Sequence, residues 1–201
     1  KPNDSIEALK NNNIKYYETG IDHGTITAFV KNNKFEITSL RKDINTDGRH
    51  AKVEFANNWF EDASRRDFTI NSIYADIDGN LYDPFNGKRD LALGKVEFIG
   101  DIEKRIKEDY LRILRYIRFF LNYSKLEHSD KVKKIIKKNI SGISNISSER
   151  LLDEFKKIIK SKNFLKLFKD PFCKEVIRLI FPQLRNFEIF EKLNNFAKKK
   201  S

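Results

Sequence analysis

From residue 101 to residue 170 the sequence contains no proline, and its apolar residues recur at a helical period. Ahead of that stretch, short apolar segments are punctuated by Gly20, Gly24, Gly79, Pro84 and Gly87. The two textures predict an α+β chain: a mixed or antiparallel sheet with helices in front, and an all-helical region behind.

In the front region the pattern predicts a short amphipathic helix over 4–13, with Ile6 and Leu9 inward and Asp4 near its cap. Strands follow over 14–18, 26–30 and 34–40, the last two joined by a hairpin at Lys31-Asn32-Asn33. Residues 42–58 read as polar and irregular. A helix is expected over 61–73, then strand, turn and strand over 73–83 with Asp78-Gly79-Asn80 at the tip. Asp83-Pro84-Phe85-Asn86-Gly87 is a turn and 95–99 one more strand. Behind residue 101, helices are predicted near 103–122, 129–138, 148–160, 163–169 and 173–180. Ser147-Ser148-Glu149 marks one of the starts.

Bulk properties narrow the function. A length of 201 residues allows one good core or two small ones, and 39% hydrophobic with 12% aromatic residues excludes a disordered chain. No run is long enough to span a bilayer and no apolar signal segment opens the chain, so a cytoplasmic protein with no membrane partner is expected. The single cysteine, Cys173, excludes an internal disulfide framework and reads as a buried, inert thiol. Three scattered histidines and one cysteine argue against a structural zinc site. A formal net charge of +11 points to a polyanionic partner, although abundant lysine, asparagine, isoleucine and phenylalanine also fit an AT-rich coding sequence. The chain contains no methionine and begins at Lys1, which we take as the mark of a piece of a longer protein.

Two strings carry chemistry. In Arg65-Arg66-Asp67-Phe68-Thr69-Ile70-Asn71, adjacent guanidiniums can grip phosphate oxygens while Asp67 accepts from a ribose hydroxyl. Asn71, four residues beyond Asp67, would share its helical face. In Glu108-Asp109-Tyr110-Leu111-Arg112-Ile113-Leu114-Arg115, a carboxylate and an arginine three residues apart can present an acceptor beside a donor, as the edge of a nucleobase requires. Arg112, Arg115 and Arg118 continue along one face, while Leu111, Leu114 and Ile117 form the buried stripe. The bland alternative for both strings is a solvated helix with internal ion pairs. Phe119, Phe120 and Tyr123 follow the same spacing and read as core.

These strings, in this order, resemble the class II tRNA nucleotidyltransferases (CCA-adding enzymes) and their bacterial poly(A) polymerase relatives. The likeness includes Thr19-Gly20 to His23-Gly24-Thr25, Glu36-Ile37-Thr38-Ser39-Leu40-Arg41, Asp47-Gly48-Arg49-His50-Ala51, the Arg-Arg-Asp string and Asp83-Pro84-Phe85-Asn86-Gly87. It continues from Arg105 to Phe119 and covers roughly the first 120 residues. The resemblance implies a partial nucleotidyltransferase palm over 1–100, a helical neck with a base-selecting helix over 101–140, and the start of an RNA-binding helical body over 141–201.

It also implies a reaction, in which an RNA 3′-hydroxyl attacks the α-phosphate of CTP or ATP and pyrophosphate leaves. Asp109 and Arg112 would pair with the base, Arg66, Arg115 and Arg118 would hold phosphates, Asp67 would meet the ribose and Asn71 would support it. Mg2+ would be the cofactor, its principal ligands being an Asp-x-Asp expected upstream of Lys1, with Glu36 a supporting carboxylate and no metal ligand assigned within the chain. Asp76-Ile77-Asp78 has the right spelling but runs into a hairpin signature and follows the Arg-Arg-Asp string, so it reads as a turn. The partners implied are the tRNA 3′ end, CTP and ATP. The alternatives are a poly(A) polymerase, a CC-only or A-only enzyme, or a nucleotide- or RNA-binding piece without transfer activity. The piece on its own is expected to be inactive.

Overall fold

The structure is a computed structural model that describes residues 1–47, 50–56 and 58–184, with 43–47 and 50–53 described by backbone alone. The Gly48-Arg49 step, the remainder of the expected body and the Lys198-Lys199-Lys200 run lie outside the described residues. The chain divides into two compact units, Lys1–Arg66 and Asp67–Ser201. Neither expected boundary, at 100 or 140, coincides with that division.

In the first unit, α1 (Pro2–Asn11) precedes an antiparallel sheet of β1 (Lys15–Gly20), β2 (Thr25–Val30) and β3 (Asn33–Thr38), with β2 central. Val30 pairs with Asn33, so the β2–β3 loop is Lys31-Asn32, both at positive φ, as a two-residue hairpin with right-handed strand twist demands. Leu9, Ile26 and Ala28 are buried here, packed by Ile6, Ile14, Tyr16 and Ile37. Residues expected to be irregular instead form a second hairpin, β4 (Arg41–Asp47) with β5 (His50–Phe55). The polar β4, whose one apolar residue is Ile44, hid it, although Ala51-Lys52-Val53-Glu54-Phe55 on β5 alternates as a strand should. Next comes α2 (Trp59–Ser64), capped by Asn58 Oδ1, which accepts from the Glu61 amide at 2.9 Å.

The helix expected over 61–73 stops at Ser64. Beyond it Phe68 is extended; the Thr69 amide donates to the Glu97 carbonyl, and the Ile99 amide to that of Asp67. This pairing, with a Phe68–Phe98 bridge, takes the place of the expected strand over 95–99. A 3-10 turn, Thr69–Asn71, follows, and β6 (Tyr74–Ala75) and β7 (Leu81–Tyr82) form the expected small hairpin. At its tip Asp76 Oδ1 accepts from the amides of Asp78 and Asn80, so Asp76-Ile77-Asp78 is indeed a turn. Sequence reading missed α3 (Gly87–Leu93). Its first residue has to be glycine, since a Cβ there would stand 2.1 Å from the Thr69 carbonyl oxygen.

Behind them stand α4 (Ile102–Glu108), α5 (Arg112–Tyr123), α6 (Asp130–Asn139), α7 (Ser148–Ile159), α8 (Lys166–Lys169) and α9 (Pro171–Ile180). Asp101, Ser129 and Asp170 cap α4, α6 and α9 through side-chain oxygens that accept from backbone amides. One core runs through the unit, from Phe68 and Phe98 through Ile113, Leu114, Tyr116 and Ile117 to Phe172, Val176 and Ile177. Phe119 and Phe120 pack against this core as expected, whereas Tyr123 is exposed. Cys173 is fully buried, and burial, reinforced by Asp170, pushes its thiol far above the usual range. No described helix is long and apolar enough to cross a membrane.

Candidate functional site

The helix expected over 103–122 is broken at residues 109–111. Asp109 is extended, with φ −152° and ψ 104°, and its Oδ1 accepts from the Leu111 amide at 3.1 Å. An aspartate that binds an amide two residues ahead competes with the helical ladder, and here it wins. Asp109 and Arg112 therefore flank a helix–helix corner: one ends α4 and the other begins α5.

Around this corner the second unit collects an ion-pair network. Arg112, 6% exposed, donates from Nε to Asp67 Oδ1 at 2.7 Å and from Nη1 to Glu108 Oε2 at 2.9 Å and to the Arg105 carbonyl. Arg115 reaches the second oxygen of Asp67 at 2.7 Å, and Arg105 joins Glu108 at 2.7 Å. Asp109 Oδ2 accepts from Arg150 on α7 at 2.8 Å. Arg118 binds Glu154 on α7 while its guanidinium lies 4.7 Å from the Phe119 ring centre. Burial pushes the Asp67 carboxyl up, but Arg115 and Arg112 outweigh it and hold it below the usual carboxylate range. Burial pulls Arg115 down, and Asp67 more than restores it.

Of the residues singled out in the sequence, Asp67, Arg112 and Arg115 are brought into direct contact, with Asp109 next to Arg112 through the corner. The arginine stripe does not wait bare for an anion, because carboxylates of the protein itself satisfy much of it. Asn71 sits in the 3-10 turn, where its Oδ1 accepts from the Phe68 amide at 3.0 Å. Arg66 belongs to the first unit; with Arg65 it binds Asp62, itself 1% exposed, at 2.9 Å and 2.6 Å. Glu36 is exposed on β3, opposite Thr27. Sequence reasoning missed Asp62, Arg105, Arg150 and Glu154 as members of these networks. Arg150 lies 41 residues from its partner, and no spacing rule links them.

What the corner retains is chemically specific. Arg112 uses Nε and Nη1 on the protein, while Nη2 makes no hydrogen bond among the described residues. Each Asp109 oxygen accepts one bond and has capacity for another. An unspent donor thus lies a few residues from an unspent anionic acceptor.

The α+β arrangement, an antiparallel head followed by helices, is that of a solved CCA-adding enzyme in an apo form, which superposes with a TM-score of 0.76 at 24% identity, over 96% of this chain and 47% of that one. The family described as "Poly A polymerase head domain" matches residues 1–97, and that described as "Probable RNA and SrmB- binding site of polymerase A" matches 126–192. The chain is 50% identical over 145 residues to human "CCA tRNA nucleotidyltransferase 1, mitochondrial", covering 70% of this chain and 33% of that protein. Its identity to the "CCA-adding enzyme" of Lactobacillus johnsonii is 34% over 185 residues, or 90% of this chain and 46% of the relative. The Bacillus stearothermophilus CCA-adding enzyme in complex with CTP superposes with a TM-score of 0.65 at 29% identity, over 83% of this chain and 38% of that one. The chain belongs to the family that unites tRNA nucleotidyltransferases (CCA-adding enzymes) with bacterial poly(A) polymerases. It spans between a third and a half of the length of these relatives.

Proposed function

We propose that this chain is the nucleotide-selecting part of a template-independent RNA nucleotidyltransferase that adds or repairs the 3′-terminal CCA of tRNA from CTP and ATP. The observation that carries the reading is the unspent donor of Arg112 and the unspent acceptor capacity of Asp109 at the two ends of one helix–helix corner. Cytosine offers an N4 donor next to the N3 acceptor, and adenine offers N6 next to N1 in the same order. Uracil and guanine present the reverse pattern, so a fixed acceptor and donor favour the first two. Asp67 acts by holding the guanidiniums of Arg112 and Arg115, and its remaining lone pairs are what a ribose hydroxyl would meet. Arg115 and Arg118 are assigned to phosphate through N–H groups beyond those spent on carboxylates. Arg66 is kept as a separate phosphate candidate of the first unit, and Asn71 braces the segment after Asp67 by accepting from the Phe68 amide.

Family membership fits a divalent metal, and magnesium is our assignment for the whole enzyme. Among the described residues the one convergent group of three ligands contains an imidazole and a thiol, donors that magnesium does not favour. Glu36 alone is not a metal centre. No step is therefore derived through the ion, and the 201-residue chain by itself is expected to hold nucleotide without transferring it. A cytoplasmic location belongs to the same reading, and cell fractionation tests it against the mitochondrial naming of the human relative.

The intact enzyme, given CTP, ATP, magnesium and tRNA ending at the discriminator base, should add C, C and A. Addition of A alone, in long runs, would identify a poly(A) polymerase instead. Addition that stops after CC, or that requires a CC end, would identify the partial enzymes. Robust incorporation by the 201-residue chain alone would refute the assignment of the metal ligands to other residues.

A further inference from the structure

Away from the α4–α5 corner, three side chains of different donor chemistry meet. His128 lies in the segment between α5 and α6, and Asp170 and Cys173 sit at the start of α9. The His128 ring is stacked on Phe120 with centroids 3.5 Å apart and meets the edge of Phe172 at 4.7 Å. Its Nδ1 is hydrogen-bonded to the Tyr116 hydroxyl at 2.8 Å, which turns Nε2 toward Asp170 Oδ1 at 3.2 Å and Cys173 Sγ at 3.4 Å. One ligand atom from each of the three residues lies within 4.8 Å of the others.

Those separations suit a shared ion. With zinc bonds of about 2.3 Å to sulfur and about 2.0–2.1 Å to nitrogen or oxygen, tetrahedral angles set nitrogen and sulfur about 3.5 Å apart and nitrogen and oxygen about 3.3 Å apart. The charges also match, since a thiolate and a carboxylate neutralise a dication in a site that has to be desolvated. A ligating imidazole commonly has its other nitrogen fixed by a second partner, the position Tyr116 fills. The Asp170 side chain, 25% exposed, leaves one side open for a water as fourth ligand.

We infer that His128, Asp170 and Cys173 form a site for a thiophilic divalent transition ion, zinc being the best fit, that fastens the start of α9 to the α5–α6 junction. Binding exchanges the thiol proton of Cys173 for the metal–sulfur bond and releases that proton to solvent. The imidazole binds in its neutral form, with the proton on Nδ1 donated to the Tyr116 oxygen. Thiolate, imidazole and carboxylate together favour zinc over magnesium, so this site is independent of the nucleotidyl-transfer reading.

The test is cobalt titration of the tag-free chain, reduced with a non-chelating phosphine and stripped of metal beforehand. A thiolate-to-cobalt charge-transfer band should grow to saturation at one equivalent and vanish when one equivalent of zinc is added. Zinc should raise the melting temperature of the wild type but not of Cys173→Ala. Tyr116→Phe, which keeps the ligands but frees Nδ1, should bind zinc roughly 10–100-fold more weakly. Absence of the band in folded wild type whose thiol titrates as free in denaturant would overturn the inference. So would a band, or a zinc-induced stabilisation, that survives in Cys173→Ala.

Discussion

Asp67 receives Arg112 Nε at 2.7 Å, and the two side chains are only 9% and 7% exposed. A carboxylate this deep is tolerated because Arg112 and Arg115 each occupy one of its oxygens. It ties the extended segment after α2 to the first two turns of α5, and so fixes the guanidinium whose free edge we assign to base recognition.

Asp67→Asn removes the charge that holds two arginines and should destabilise the chain by about 3–5 kcal/mol. Urea unfolding measures it, and a loss below 1 kcal/mol, roughly a surface pair's worth, would contradict the buried network. The pH dependence has a fixed sign. Because the folded-state pKa of Asp67 is depressed, its contribution is complete above the unfolded value of about 3.9 and is lost as pH falls through the lower folded value. The wild type should therefore lose stability more steeply than Asp67→Asn as the pH is lowered below about 4.

Gly142 faces Tyr110, and a Cβ at that glycine would fall 2.0 Å from the ring. Gly142→Ala should displace Tyr110, the neighbour of Asp109, and cost roughly 1–3 kcal/mol of stability. Unchanged unfolding in denaturant would show that the ring moves aside freely.

Asn71 separates a local from a ligand-directed role. Its Oδ1 accepts from the Phe68 amide, so Asn71→Ala should cost about 1 kcal/mol, while Asn71→Asp, which keeps the acceptor, should cost less. Equal losses in thermal melts would remove the hydrogen bond from the account.

Arg150 holds Asp109 at 2.8 Å from α7. In the intact enzyme, Arg150→Met should leave the fold within about 1–2 kcal/mol of wild type, since the pair is partly exposed. It should nonetheless weaken the preference for CTP and ATP over UTP and GTP, with partial rescue by Arg150→Lys. Selectivity that stays at the wild-type level would reduce the pair to a structural tie.

The helices from α6 to α9 were legible because apolar periodicity and caps such as Ser129 and Asp170 act locally. The break at Asp109 was not, since helical spacing places Asp109 and Arg112 together whether or not the helix is continuous. Only the bond from Asp109 to the Leu111 amide decides it. In the β4–β5 hairpin the alternation Ala51-Lys52-Val53-Glu54-Phe55 stands opposite a β4 whose one apolar residue is Ile44, so only half of the signal was present, and α3 was obscured by the turn residues that open it. Of the residues the strings singled out, Asp67, Asp109, Arg112 and Arg115 stand together around the α4–α5 corner. Their partners Arg150 and Glu154 come from α7, and long-range charge pairing leaves no periodic trace.

The most direct test of the base-selecting corner is equilibrium binding of CTP, ATP, UTP and GTP to the intact enzyme and to its Asp109→Ala and Arg112→Lys variants. Lysine keeps a cation against Asp67 but lacks the second terminal nitrogen of the guanidinium, the one not spent on the protein. The account predicts that both variants remain folded and bind the four nucleotides with nearly equal affinity. Wild-type preference for CTP and ATP in both would contradict it.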